Sequence, residues 1–80
     1  MRSQKTEVLK LELASDGSVV CVSRDGATLE LPREAGSALA RFFDAGTDTA
    51  WIVGKFYAPA GSAKKTKLMV IGRALDTQRW

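Results

Sequence analysis

The chain has 80 residues, 45% of them apolar and 26% charged, with a formal net charge of +3. This is one domain, spanning 1–80, with a modest core, and it has no apolar run near the ~20 residues of a membrane-spanning helix. A single Cys21 and no His exclude an intramolecular disulfide, a multi-cysteine metal site and any His-based triad.

The charge is unevenly spread. Residues 6–48 hold four cations against eight carboxylates, a net of −4, whereas residues 49–80 hold six cations against Asp76 alone, a net of +5. Arg2 and Lys5 complete the total. A basic C-terminal third on a mildly acidic scaffold favours phosphates or an acidic protein surface as partner.

In chain order, "MRSQKTEVLKLELAS" opens with a short tail over 1–5. Lys10 and Glu12 interrupt the apolar block that a signal peptide needs, so the expected location is cytoplasmic. Leu9, Leu11 and Leu13 alternate with Lys10 and Glu12, the period of a half-buried strand. Asp16-Gly17 is a tight-turn signal. "VVCVSR" is the partner strand, Arg24-Asp25-Gly26-Ala27 turns again, and "TLELP" is a short third strand. From Pro32 the period changes. Ala35, Leu39 and Phe42, with Ala38 and Phe43 beside them, form one helical face. Pro32 suits the first turn, Glu34 complements the helix dipole, Gly36 weakens the helix, and Gly46 is the expected C-terminal cap.

"TAWIVGKFYA" and "TKLMVIGRAL" read as two longer strands, joined by the exposed, lysine-bearing loop 59–66. Residues 76–80 form a C-terminal tail. The expected fold is α+β, a five-stranded antiparallel sheet in the order β-β-β-α-β-β with one helix packed on one face.

The segment "YAPAGSAKKTKLMVIG" superficially suggests a phosphate loop. A P-loop needs G-x-x-x-x-G-K-[ST] opening a helix. Here two residues separate Gly61 from Lys64, and the sequence that follows is strand-like, so the segment reads as the tip of a hairpin. No pair of carboxylates is placed for acid–base work, and Cys21 among valines reads as a small buried hydrophobe. The sequence thus predicts no enzyme, no cofactor and no metal.

One helix covers one face of the sheet. Alternation assigns Ile52, Phe56, Leu68 and Val70 to the covered face. The opposite face then carries Trp51, Val53, Tyr57, Met69 and Ile71, rimmed by Lys55, Lys67 and Arg73. A one-residue slip exchanges the faces. Such a strip suits a two-fold dimer through Val53, Met69 and Ile71. It equally suits a platform on which bases stack on Trp51 and Tyr57 while Lys55, Lys64, Lys65, Lys67 and Arg73 meet phosphates, or a patch for another protein. The sheet can also curl to bury these residues itself. The plan of one sheet and one helix resembles several single-strand nucleic-acid binders, in architecture alone. The expected function is a small non-catalytic binding module that occupies a protein or nucleoprotein surface. Inhibitors encoded by phages and plasmids, such as those that block CRISPR effector complexes, are of this kind. The alternative is sequence-tolerant binding of single-stranded DNA or RNA.

Overall fold

The computed structural model describes residues 5–80. The N-terminal tail expected over 1–5 therefore lies, but for Lys5, outside the described residues. Five strands and one α-helix follow in the expected order: β1 (Glu7–Leu13), β2 (Val19–Val22), β3 (Thr28–Leu31), α1 (Arg33–Leu39), β4 (Thr49–Tyr57) and β5 (Lys67–Arg73). The sheet is antiparallel throughout, in the spatial order β3-β2-β1-β4-β5. Three hairpin-linked strands with β4 returning beside β1 make a Greek key, and β5 extends it by one more hairpin.

The two N-terminal turns share one construction. Ala14 and Ser18 close the first turn and Ser23 and Ala27 the second, through main-chain hydrogen bonds of 2.8 Å. Gly17 and Gly26 supply the positive φ, +91° and +96°. In each turn the preceding aspartate accepts the backbone N–H two residues on, Ser18 to Asp16 and Ala27 to Asp25. This is the local bond that favours Asp in turns. The Ser18 hydroxyl and backbone hold the Asp16 carboxyl below its ordinary value, and the Ser23 hydroxyl, then the Ala27 amide, do the same for Asp25.

The helix is shorter than its pattern. α-Helical geometry stops at Leu39 and one 3-10 turn, Ala40–Phe42, completes it. Tightening the last turn is a common way to end a helix, and here Phe42 is buried while Phe43 leaves in an extended conformation. Pro32 is the residue that precedes the helix. Gly46 is not its cap. It takes φ +82° in a separate turn closed by Thr47 N–H to Asp44 C=O.

The core lies between the helix and the concave face of the sheet. Leu9, Leu11, Val19, Cys21 and Ile52 are fully buried there, with Leu31, Leu39, Phe42 and Ala50 around them. Phe56, Leu68 and Val70 pack against this cluster, as alternation requires. The sheet curls into a half-barrel whose edge strands β3 and β5 do not meet. Between them lies an apolar groove of about 460 Å³, lined by Leu31, Ala35, Leu39, Leu68 and Val70 among others.

The β4–β5 ladder is interrupted. Gly54 pairs with Val70, but Val53 pairs with Gly72, so Ile71 is an extra residue and the register shifts at that point. This is a β-bulge. A Cβ on Gly54 would lie 2.2 Å from the Met69 carbonyl oxygen, whereas one on Gly72 would meet nothing within 4 Å. Only glycine permits that approach. Gly54→Ala is accordingly expected to lower stability by about 1–3 kcal/mol, the usual cost of forcing atoms into a packed site, while Gly72→Ala changes it by under about 1 kcal/mol. Urea denaturation of the two variants measures this, and equal effects would contradict the close approach.

Candidate functional site

The face of the sheet away from the helix is set by the register. Lys10 stands opposite Trp51, Val8 opposite Val53, Lys55 opposite Met69, and Tyr57 opposite Lys67. Directly opposed residues share a face. Along β4 the open face thus reads Trp51, Val53, Lys55, Tyr57, a run of about 20 Å at the strand rise of roughly 3.3 Å per residue. Tyr57 has Lys55 two residues back on its own strand and Lys67 directly across.

Arg73 does not belong to this set. Beyond the bulge the alternation of β5 is reversed, and Arg73 pairs with Ile52, a core-facing residue. Its guanidinium donates to the Arg41 and Phe42 carbonyls at the end of the helical segment and lies 3.6 Å from the Asp44 carboxylate. The expected rim position of Arg73 is thus corrected. It ties β5 to the helix side of the sheet by satisfying carbonyls that a helix end leaves without partners. It also lines a polar cleft of about 650 Å³, together with Asp44, Asp48, Asp76 and Arg79.

The remaining expected residues are placed as follows. Lys64 and Lys65 are exposed in the loop between β4 and β5, where Ser62 N–H bonds to the Pro59 carbonyl and Gly61 takes φ +82°. The loop joins two strands and precedes no helix, as the hairpin reading requires. Among the described residues, Lys55, Lys64, Lys65 and Lys67 form no ion pair with a carboxylate. Of the apolar strip, Trp51, Val53 and Tyr57 are half-buried, while Met69 and Ile71 remain 41% and 63% exposed.

Sequence reasoning did not foresee what partly covers Trp51. After β5, Ala74 N–H bonds to the Trp51 carbonyl. The chain makes a 3-10 turn over Asp76–Gln78, in which the Gln78 side chain accepts the Leu75 N–H at 2.7 Å. Trp80 then meets Trp51 edge to face, with centroids 4.9 Å apart and rings at 90°. Its indole N–H donates to the Val8 carbonyl at 3.0 Å. Lys10 lies 5.7 Å from the Trp51 centroid, within cation–π range, and pairs with Glu12 at 3.2 Å. Only the tryptophan itself, an aromatic in a polar tail, hinted at this contact.

Comparison with protein-family models, with curated proteins and with solved structures finds no match. Among the described residues no group of His, Cys, Asp or Glu is arranged to hold a metal ion, and no helix is long and apolar enough to cross a membrane.

Cys21 is fully buried. Burial first, and the nearby Glu7 charge second, push its thiol up to about 12 from an ordinary 9.0. The thiolate is the reactive form, so at about pH 8 the folded chain presents a protonated, shielded thiol. Alkylation by iodoacetamide is expected to proceed only as fast as the chain unfolds and to accelerate through the urea transition. Rapid labelling in native buffer would show that Cys21 is accessible.

Proposed function

We propose that this chain is a non-catalytic binding module for single-stranded nucleic acid, held on the open face of the β4–β5 hairpin. The observation that carries the reading is Tyr57 between Lys55 and Lys67, with Lys64 and Lys65 exposed in the adjoining loop and, among the described residues, no carboxylate paired with any of the four. An aromatic ring offers a stacking surface to any base, and unpaired ammonium groups beside it meet the backbone phosphates. Five-stranded, partly open Greek-key barrels include oligonucleotide binders. That likeness is one of plan only, and the side chains support the reading more directly.

Phosphate contacts release counterions, and for single strands log K falls by about 0.7 per contacted phosphate per log unit of salt. Four lysine contacts give a slope near −3, and Lys64→Ala with Lys65→Ala is expected to reduce it by about 1.4. Fluorescence anisotropy of a labelled oligothymidylate at several salt concentrations measures both. No binding at low salt, or binding indifferent to salt, would remove this function.

Exposed Met69 and Ile71 favour a second reading, in which a protein covers β5. Such a partner is a nucleoprotein complex of the kind a phage-type inhibitor occupies, or a second copy of the chain paired through Val53, Met69 and Ile71. In sedimentation equilibrium the wild type is then expected above its 8.6 kDa monomer mass, with Ile71→Lys returning it to monomer. A wild type that sediments as monomer argues against the paired form.

A further inference from the structure

The contact between the tail and the open face marks a place where an aromatic group is held by three features. The Trp51 ring packs at right angles to the incoming ring with centroids 4.9 Å apart, and the Val8 carbonyl accepts a hydrogen bond from the edge of the incoming ring. The Lys10 ammonium, which also pairs with Glu12, lies 5.7 Å from the Trp51 centroid. Val8 lies beyond the last β1–β2 pair, Lys10 with Val22, so this corner of the face is not hemmed in by β2. Trp80, which fills the place, is itself 38% exposed, and its segment is closed by the Arg79–Asp76 ion pair and the Gln78–Leu75 bond, both exposed and local. The specific contacts of the indole with the sheet include an edge-to-face pair and one hydrogen bond.

These are the features that a nucleobase also requires. Each base is a flat heteroaromatic ring with an N–H donor on its edge, attached to a phosphate that favours a neighbouring cation. We infer that Trp51, the Val8 carbonyl and Lys10 form a base-binding subsite of the nucleic-acid surface proposed above, that Trp80 occupies it in the free protein, and that a base displaces Trp80 on binding. The inference rests on that reading and extends it. The strand would run along β4 from the lysine-rich hairpin at Tyr57 to Trp51, about 20 Å away, so that the two aromatics mark the two ends of one track. The tail then acts as an internal competitor. It keeps an aromatic surface out of water in the free chain and lowers affinity by the fraction of molecules in which the subsite is closed.

If the subsite is open in about one molecule of ten in the free chain, removing the latch tightens binding by about tenfold. Anisotropy titration of labelled oligothymidylate at low salt, with wild type, Trp80→Ala and the double variant Trp51→Ala/Trp80→Ala, tests this. Trp80→Ala is expected to bind several-fold more tightly than wild type, and the double variant to lose that gain. If wild type and Trp80→Ala bind equally, or Trp80→Ala binds more weakly, the subsite is overturned while nucleic-acid binding stands. If no variant binds, both are overturned. A second measurement uses the wild type alone and does not depend on the variants folding. The Trp80 indole N–H resonance is expected to shift and to lose its protection from solvent exchange when oligothymidylate saturates the protein. A protected, unshifted Trp80 indole in the saturated complex overturns the displacement.

Discussion

The close approach of the Gly54 backbone to the Met69 carbonyl determines which residues the two sides of this sheet present. With no side chain at position 54, β5 can sit tightly against β4 and accommodate one residue too many. Ile71 is that residue, and everything after it changes side. Arg73 consequently points to the helix, where three oxygen-bearing neighbours receive it. Had the ladder run regularly, Arg73 would have stood in the open face beside Trp51, and the carbonyls of Arg41 and Phe42 would have lacked this donor. The bulge also bends β5 and increases local twist, consistent with a sheet that curls toward a barrel yet leaves an apolar groove between its two edges.

Much of this was legible in the chain. Two Asp-Gly pairs located two turns because the aspartate accepts a backbone bond and the glycine takes positive φ, both local effects. The change from a period of two to one of 3.6 at Pro32 located the helix, and alternation along β4 sorted Ile52 and Phe56 from Trp51 and Tyr57. The face of Arg73 was not legible from alternation, since "KLMVIGR" fits a regular strand as well as a bulged one. Glycines at 54 and 72 in the interiors of two adjacent strands were the available signal, because glycine there points to a bulge or a close backbone approach. The helix ended early for a similar reason. Burying Phe42 decides the geometry of the last turn, and periodicity alone cannot report a tightened turn. The expected cap at Gly46 belongs instead to a separate turn, because a turn and a helix cap both call for a residue that takes positive φ.

An 80-residue sheet with one helix has a small core, and the five fully buried side chains all lie on one side of it. The opposite side must therefore limit its own exposure of apolar area. Here it does so by three means. Lys10, Glu12 and Lys55 interrupt the apolar run on β1 and β4, the twist of the sheet half-buries Val53 and Tyr57, and Trp80 returns over Trp51. Lysines at the start of β5 and in its loop also serve to discourage edge-to-edge pairing with other chains. The same charges that protect the edge create a cationic surface, so solubility and the proposed recognition place overlapping demands on Lys64, Lys65 and Lys67.

Position along the track separates these two demands. Charges that only protect an edge need no aromatic neighbour. In this chain the cations cluster at one end of β4, around Tyr57, and the hydrogen-bonded indole lies at the other, on Trp51. A ligand-binding track requires cations to attract a polyanion at its entry, an aromatic beside them, and a second aromatic surface farther along with a hydrogen-bond acceptor at its edge. Val8, Lys10 and Trp51 are set by the β1–β4 ladder, and Tyr57 and Lys67 by the part of the β4–β5 ladder before the bulge, so the proposed track depends on Gly54 only through the path of the chain after Ile71.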